Sequence, residues 1–154
     1  MPKLEAGTQA PTFTLPDQDS QPVSLDDFKG RRVLVYFYPK DDTPGCTREA
    51  CQFNDNLHAF QRANVPVLGI SPDDATSHQR FRAKYGLAFP LLSDPDHQVM
   101  DAYDAWGEKT LYGKKTVGVI RSTFLIDQDG NVARAWYNVK ADGHAAQVLA
   151  EIGG

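Results

Sequence analysis

The chain has 154 residues, of which 41% are hydrophobic and 23% are charged, and its formal net charge is −4 at pH 7. These values are ordinary for one globular domain spanning 1–154, and no apolar run approaches the ~18 residues that a membrane span needs. Scattered basic residues argue against a nucleic-acid surface, and the N-terminus lacks the basic and apolar regions of a secretory signal. We therefore expect a cytoplasmic protein that binds neither nucleic acid nor membrane.

The first predicted elements are a small hairpin and a buried strand. Residues 12–15 and 21–23 flank a turn-forming stretch, and Ser24 is placed to cap a short helical turn. The continuous β-branched and aromatic run at 33–38 is typical of a strand buried on both faces of a sheet. Apolar positions at helical spacing then predict one continuous helix over 43–63.

The rest of the chain alternates strands and helices. Strands are predicted at 65–70 and 89–92, helices at 74–85 and 96–103, a hairpin at 120–127 and 132–139, and a last helix at 143–152. This order predicts an α/β fold with a sheet covered on both faces. It is compatible with a thioredoxin-like fold and also with other doubly wound sheets.

The segment 39–51, PKDDTPGCTREAC, is the most informative part of the sequence and holds both cysteines of the chain. If Thr43 is the N-cap, Cys46 falls in the first turn of the helix, where backbone N–H groups and the helix dipole favour a thiolate. We expect the Thr43 hydroxyl to point at those N–H groups beside the sulfur, and Pro39 to shield the thiolate from water. The alternative is an ordinary helix start with an inert buried cysteine.

Cys46 and Cys51 are spaced too widely for a disulfide within an intact helix. Five helical residues advance roughly 7.5 Å and turn about 140°, which separates the Cα atoms by roughly 8.6 Å. A disulfide needs Cα atoms within ~7 Å. A bond between these cysteines would therefore require the helix to unwind, which suits a redox cycle better than a structural link. Two unrelated core cysteines are the alternative, and C-x4-C without further ligands at a recognisable spacing predicts no metal site.

Ionisation of the thiol alone cannot account for a fast reaction. Full ionisation of an ordinary thiol at pH 7 gains only about thirtyfold in rate. A fast enzyme also needs oriented donors at the transition state, and an arginine is the expected supplier. Arg121, at the start of a hydrophobic strand, is the candidate, although its position alone slightly favours an ordinary sheet-edge charge.

Several other residues are interpreted without a catalytic role. Asp41 and Asp42 are predicted to be solvated loop charges, and Glu49 is predicted to be an acid on the helix surface. Tyr103 and Trp106 are predicted to be packing residues.

The residues of segment 39–51 resemble the active-site signature of the peroxiredoxins, P-x-x-x-T-x-x-C, read at Pro39, Thr43 and Cys46. The longer string YFYPKDDTPGCTREAC is similar to the peroxiredoxin Q branch, also called bacterioferritin comigratory proteins. The similarity extends through residues 7–15, through WGEK at 106–109 and through GVIRSTFLID at 118–127.

This resemblance implies a thioredoxin-like fold of the peroxiredoxin type, with a central mixed β-sheet, helices on both faces and an N-terminal β-hairpin. It implies a thiol peroxidase without a cofactor, in which Cys46 is the peroxidatic cysteine and Cys51 the resolving cysteine. Thr43 and Pro39 would form the pocket, and Arg121 would be the catalytic arginine.

The implied partners are a hydroperoxide substrate and a thioredoxin- or glutaredoxin-type reductant, and the chain would be a monomer or a weak homodimer. A peroxide-responsive redox sensor or holdase that uses the same two cysteines is the alternative function.

Overall fold

The computed structural model describes residues 4–111 and 113–152, in which strands and helices alternate along the chain. The strands are β1 (Thr14–Pro16), β2 (Pro22–Ser24), β3 (Val33–Phe37), β4 (Val67–Ser71), β5 (Leu91–Ser93), β6 (Trp106–Leu111), β7 (Lys114–Val119), β8 (Ser122–Ile126) and β9 (Val132–Trp136). The helices are α1 (Pro44–Asp55), α2 (Leu57–Arg62), α3 (Ala75–Tyr85), α4 (Gln98–Ala102) and α5 (His144–Ile152), and a 3₁₀ turn spans Leu25–Phe28. Among these described residues, no helix has the length and apolar character to cross a membrane.

The main sheet is mixed, with the strand order β5-β4-β3-β8-β9. Strands β3, β4 and β5 run parallel, whereas β8 is antiparallel to both of its neighbours. Strands β1 and β2 pair as an antiparallel hairpin at the start of the chain. The structure confirms the predicted α/β fold of the thioredoxin-like type, with its central mixed sheet. It also confirms the predicted N-terminal hairpin.

Strand β3 is buried along its whole length and divides the core into two clusters. Leu34 and Tyr36 point to one face, where they pack with side chains of α1, α2, α3 and α5. Val35 and Phe37 point to the other face, where they pack with α4 and the N-terminal segment. Successive side chains of a strand alternate between faces, so a strand covered on both sides must be apolar at every position.

The predicted helix over 43–63 is wrong in one respect, because the chain forms two helices that are separated at Asn56. The Asn56 side chain donates a 2.8 Å hydrogen bond to the carbonyl of Gln52. Such local bonding lets asparagine compete with the continuing helix, which explains the break.

The hairpin of β6 and β7 was not predicted. Its strands pair from Trp106 with Val119 to Leu111 with Lys114. Lysine and glycine, which are depleted in strands, occupy many of its positions, so the segment gives little strand signal.

The topology brings two distant parts of the sequence together at one end of the neighbouring strands β3 and β8. Phe37, the last residue of β3, pairs with Ser122, the first residue of the antiparallel strand β8. The loop from β3 to α1 therefore starts beside the residue that precedes β8, which is Arg121.

Candidate active site

The start of α1 has the geometry that the sequence predicts. Thr43 is the N-cap in an extended conformation (φ −97°, ψ 155°), and Pro44 is the first helical residue. Cys46 lies in the first turn and is only 2% exposed. The sulfur therefore lies near the unpaired N–H groups at the positive end of the helix dipole, where a thiolate is favoured.

The predicted direction of the Thr43 hydroxyl is wrong. The hydroxyl makes no capping bond, and instead donates a 2.8 Å hydrogen bond to the carbonyl of Lys40. A hydroxyl has one proton and two lone pairs, so this bond leaves the oxygen free to accept. Pro39 is half-buried at the start of the same loop.

Arg121 lies against the cysteine, as we expected of a supplier of hydrogen-bond donors. Its Nη2 atom donates to Cys46 Sγ at 3.3 Å, and its Nη1 atom donates to Glu49 Oε1 at 2.5 Å. The backbone of Arg121 is fixed by a bond from the N–H of Val139 to its carbonyl, at 3.1 Å. A fork of two donors thus joins two side chains that are three residues apart on α1.

Gly45 allows this close approach. A Cβ atom at this position would lie 3.3 Å from Nη2 of Arg121, which is closer than nearly all real Cβ contacts. The missing side chain therefore lets the guanidinium group lie against the first turn of the helix.

The prediction that Glu49 is an acid on the helix surface is wrong, because its side chain is buried and 0% exposed. Its Oε2 atom is buried and has no hydrogen-bond partner among the described residues. Burial raises the pKa of the Glu49 carboxyl to about 7, although the nearby Arg121 lowers it. The available signal is its spacing, because Glu49 lies three residues after Cys46 and four before Phe53, and all three are on the buried side of α1.

This buried carboxyl predicts a pH-dependent loss of stability. The folded protein keeps the Glu49 proton up to about pH 7, whereas the ordinary value of 4.5 applies to the unfolded chain. Raising the pH through this interval therefore favours unfolding. From about pH 5 to about pH 7.5, we expect the unfolding free energy of the wild type to fall by on the order of 2 kcal/mol relative to Glu49→Gln. Urea unfolding at both pH values measures this, and parallel losses in the two proteins would contradict it.

Asp41 also differs from its prediction as a solvated loop charge, because it is buried. Its carboxylate accepts hydrogen bonds from the Tyr38 hydroxyl at 2.5 Å and the Ser77 hydroxyl at 2.8 Å, and lies 2.7 Å from His78 Nδ1. These contacts fasten the loop before α1 to helix α3. Asp42 is exposed, as predicted.

Cys51 is half-buried in the same intact helix as Cys46, and both are free thiols. Burial and the neighbouring Asp55 carboxylate raise the pKa of the Cys51 thiol. The folded helix therefore keeps the second cysteine protonated. No cluster of three or more metal-binding side chains occurs in the part of the chain that the structure describes.

Comparisons with known proteins find relatives that match most of this chain. The model of the AhpC/TSA family matches residues 6–135. Peroxiredoxin Bcp of Escherichia coli (strain K12) is 50% identical over 149 residues, which cover 97% of this chain and 96% of that protein.

Two solved structures are similar over nearly their full length. The bacterioferritin comigratory protein of Xanthomonas campestris, studied for its alkyl peroxide reduction activity, has a TM-score of 0.89 and 42% identity, with 97% of this chain and 98% of that chain covered. A cysteine-to-serine mutant of Xylella fastidiosa PrxQ has a TM-score of 0.92 and 38% identity, with 99% and 98% covered. The chain therefore belongs to the AhpC/TSA family, and within it to the peroxiredoxin Q, or Bcp, branch of the peroxiredoxins.

Proposed function

We propose that the protein is a thiol-dependent peroxidase in which Cys46 attacks hydrogen peroxide and organic hydroperoxides. The observation that carries this proposal is the 3.3 Å contact between Arg121 Nη2 and Cys46 Sγ at the first turn of α1. A cation and a helix start that both face one sulfur favour the thiolate, which is the nucleophilic form of cysteine. The alkyl peroxide reduction activity of the Xanthomonas campestris relative supports the substrate class.

In the first step, the Cys46 thiolate attacks one oxygen of the hydroperoxide. An S–O bond forms, the O–O bond breaks, and the leaving oxygen takes up a proton and departs as water or an alcohol. Cys46 is oxidised by two electrons to a sulfenic acid, and the peroxide is reduced by the same two electrons.

The side chains around Cys46 have separate tasks in this step. The Arg121 guanidinium donates to the peroxide oxygens and stabilises the developing charge. The Thr43 hydroxyl, which donates its own hydrogen bond to the carbonyl of Lys40, accepts a hydrogen bond from the peroxide. Pro39 shields the pocket from water. Glu49 orients Arg121 by accepting a hydrogen bond from its Nη1 atom.

In the second step, the Cys51 thiol condenses with the sulfenic acid. The S–S bond forms, the S–O bond breaks, and water leaves with the thiol proton. Since an intact helix separates the two cysteines, α1 must unwind around them. A dithiol of the thioredoxin or glutaredoxin type then reduces the disulfide and restores both thiols.

The decisive experiment is a peroxide-consumption assay coupled to such a dithiol. Many turnovers per molecule are expected of a peroxidase. Consumption that stops after one equivalent of peroxide, with the disulfide persisting in the presence of reductant, would instead favour a redox sensor or holdase.

Replacing Cys51 by Ala should separate the two steps. Cys46 should still consume one equivalent of peroxide, because Cys51 makes no contact with the attacking sulfur in the folded helix. Turnover with the dithiol should fall about tenfold or more, because the neighbouring intramolecular thiol is lost. After one equivalent of peroxide, mass spectrometry should show Cys46 as a sulfenic acid. Unchanged turnover would show that Cys51 is not the resolving thiol.

A further inference from the structure

Two side-chain amides on α1 fasten the helix to other parts of the protein. Gln52 donates from Nε2 to Asp142 Oδ1 at 2.7 Å, and its Oε1 accepts from the N–H of Gly143 at 2.8 Å. We call this pair of bonds the Gln52 clasp. Both the NH₂ group and the carbonyl oxygen of the Gln52 amide form a hydrogen bond, so the clasp fixes the position and the orientation of the side chain.

The second amide forms a similar pair of bonds on another side of α1. Asn54 donates from Nδ2 to the carbonyl of Gly86 at 3.0 Å, and its Oδ1 accepts from the N–H of Ala88 at 2.9 Å. We call this pair the Asn54 clasp. The two clasps are matched in chemistry and lie two residues apart, but only Gln52 is adjacent to Cys51.

The part of α1 that can unwind is bounded at both ends. On the N-terminal side, Asp41 is held in the protein interior by Tyr38, Ser77 and His78. On the C-terminal side, Phe53 is 0% exposed, and its ring stacks on Tyr36 with 4.7 Å between centroids. We take residues 42–52, between these two anchors, as the segment that unwinds, and its buried Glu49 and Ala50 must leave the core together with Cys46. Gln52 lies inside this segment, and Asn54 lies outside it.

The restraints on this segment respond differently to oxidation of Cys46. Arg121 loses part of its attraction to the sulfur, because a sulfenic acid carries no full negative charge. The Gln52 clasp is untouched by that change. A second, longer contact from Arg48 to Asp142, at 3.9 Å, joins the same loop to the helix one turn earlier.

We infer that Gln52 is a positioning residue that sets the rate at which Cys51 reaches oxidised Cys46. This inference rests on the proposed function, because it assigns a control to its second step. The clasp holds α1 in the helical form that attacks peroxide, and it must open before the disulfide can form.

The rate of this opening decides between two fates of the sulfenic acid. In one, the Cys51 thiol displaces water and forms the disulfide. In the other, a second hydroperoxide molecule oxidises the sulfenic acid to a sulfinic acid, with an O–O bond broken, a second S–O bond formed and water or an alcohol released. A clasp that opens more readily favours the disulfide over the sulfinic acid.

The test compares Gln52→Met with the matched variant Asn54→Leu. Both changes remove the amide, keep a similar size and add no charge near Cys51, and methionine matches glutamine in helix propensity. After one equivalent of hydrogen peroxide, we expect Gln52→Met to form the Cys46–Cys51 disulfide about fivefold faster than the wild type, the factor that corresponds to about 1 kcal/mol. At excess peroxide, its ratio of sulfinic acid to disulfide should fall by a similar factor, as measured by mass spectrometry.

Three further measurements separate this role from a general effect on stability. The rate of the first oxidation of Cys46 should stay unchanged in Gln52→Met. Asn54→Leu should lower the melting temperature without changing the rate of disulfide formation. Asp142→Ala removes one of the two clasp bonds and also the longer contact from Arg48, so it should form the disulfide faster than the wild type as well.

The possible failures are distinct. Equal acceleration in Gln52→Met and Asn54→Leu, or no acceleration in either, would overturn the role of Gln52 while the disulfide still forms. A peptide map of the oxidised wild type that shows no Cys46–Cys51 link would overturn the proposed second step and this inference together.

Discussion

Replacing Cys46 by Ser should reduce peroxide consumption to the uncatalysed rate. The sulfur is the atom that Arg121 contacts, at 3.3 Å, and it lies in the first turn of α1. A serine hydroxyl does not ionise near neutral pH and is a far weaker nucleophile than a thiolate, so the same surroundings cannot activate it. The expected loss is the largest for any single substitution in this chain. A ferric-dye assay of residual peroxide measures it directly.

Cys51→Ser is the matched control for this experiment. It makes the same chemical change in the same helix, but the sulfur that it removes does not contact Arg121. One equivalent of peroxide should still be consumed by that variant. Substantial peroxide turnover by Cys46→Ser would place the reactive group elsewhere and would refute the assignment.

The elements that depend on local sequence could be predicted well. Strand β3 is a continuous apolar run, and the Thr43-Pro44 start of α1 follows from capping preferences that involve only neighbouring residues. The structure places these elements within one or two residues of their predicted bounds. The Asn56 break was not predicted because it depends on one side-chain bond within a pattern that is otherwise helical.

The pairing of the buried charges could not be predicted, because the partners are distant in the sequence. Glu49 is buried because it pairs with Arg121, which is 72 residues away in the sequence. Asp41 is buried because α3 supplies His78, 37 residues away. A charged residue is buried only when it is paired, and the pairing is a property of the tertiary structure. The sequence could therefore nominate Arg121 by its chemistry, but it gave no sign that Glu49 holds this side chain.

Replacing Arg121 by Met should lower kcat/KM for hydroperoxide by about a hundredfold to a thousandfold, the usual effect of removing one oriented donor from a transition state. Its guanidinium contacts the attacking sulfur and is 17% exposed at the side chain, so its charge acts with little screening by water. Arg121→Lys should lose less, because it keeps the charge. A single ammonium group cannot reproduce the fork that reaches Cys46 and Glu49 together.

The matched control is Arg134→Met on the neighbouring strand β9. Arg134 is also ion-paired, with Glu151 Oε1 at 3.0 Å, and lies over the ring of Trp136, but its side chain is 51% exposed and has no contact with the cysteine. Its kcat/KM should match that of the wild type. Thermal melting of each variant checks that the fold is kept. A loss below tenfold in a folded Arg121→Met protein would mean that the helix start alone activates Cys46. A large loss in Arg121→Met, with an intermediate loss in Arg121→Lys, would show that the reaction requires the guanidinium fork that joins Cys46 to Glu49.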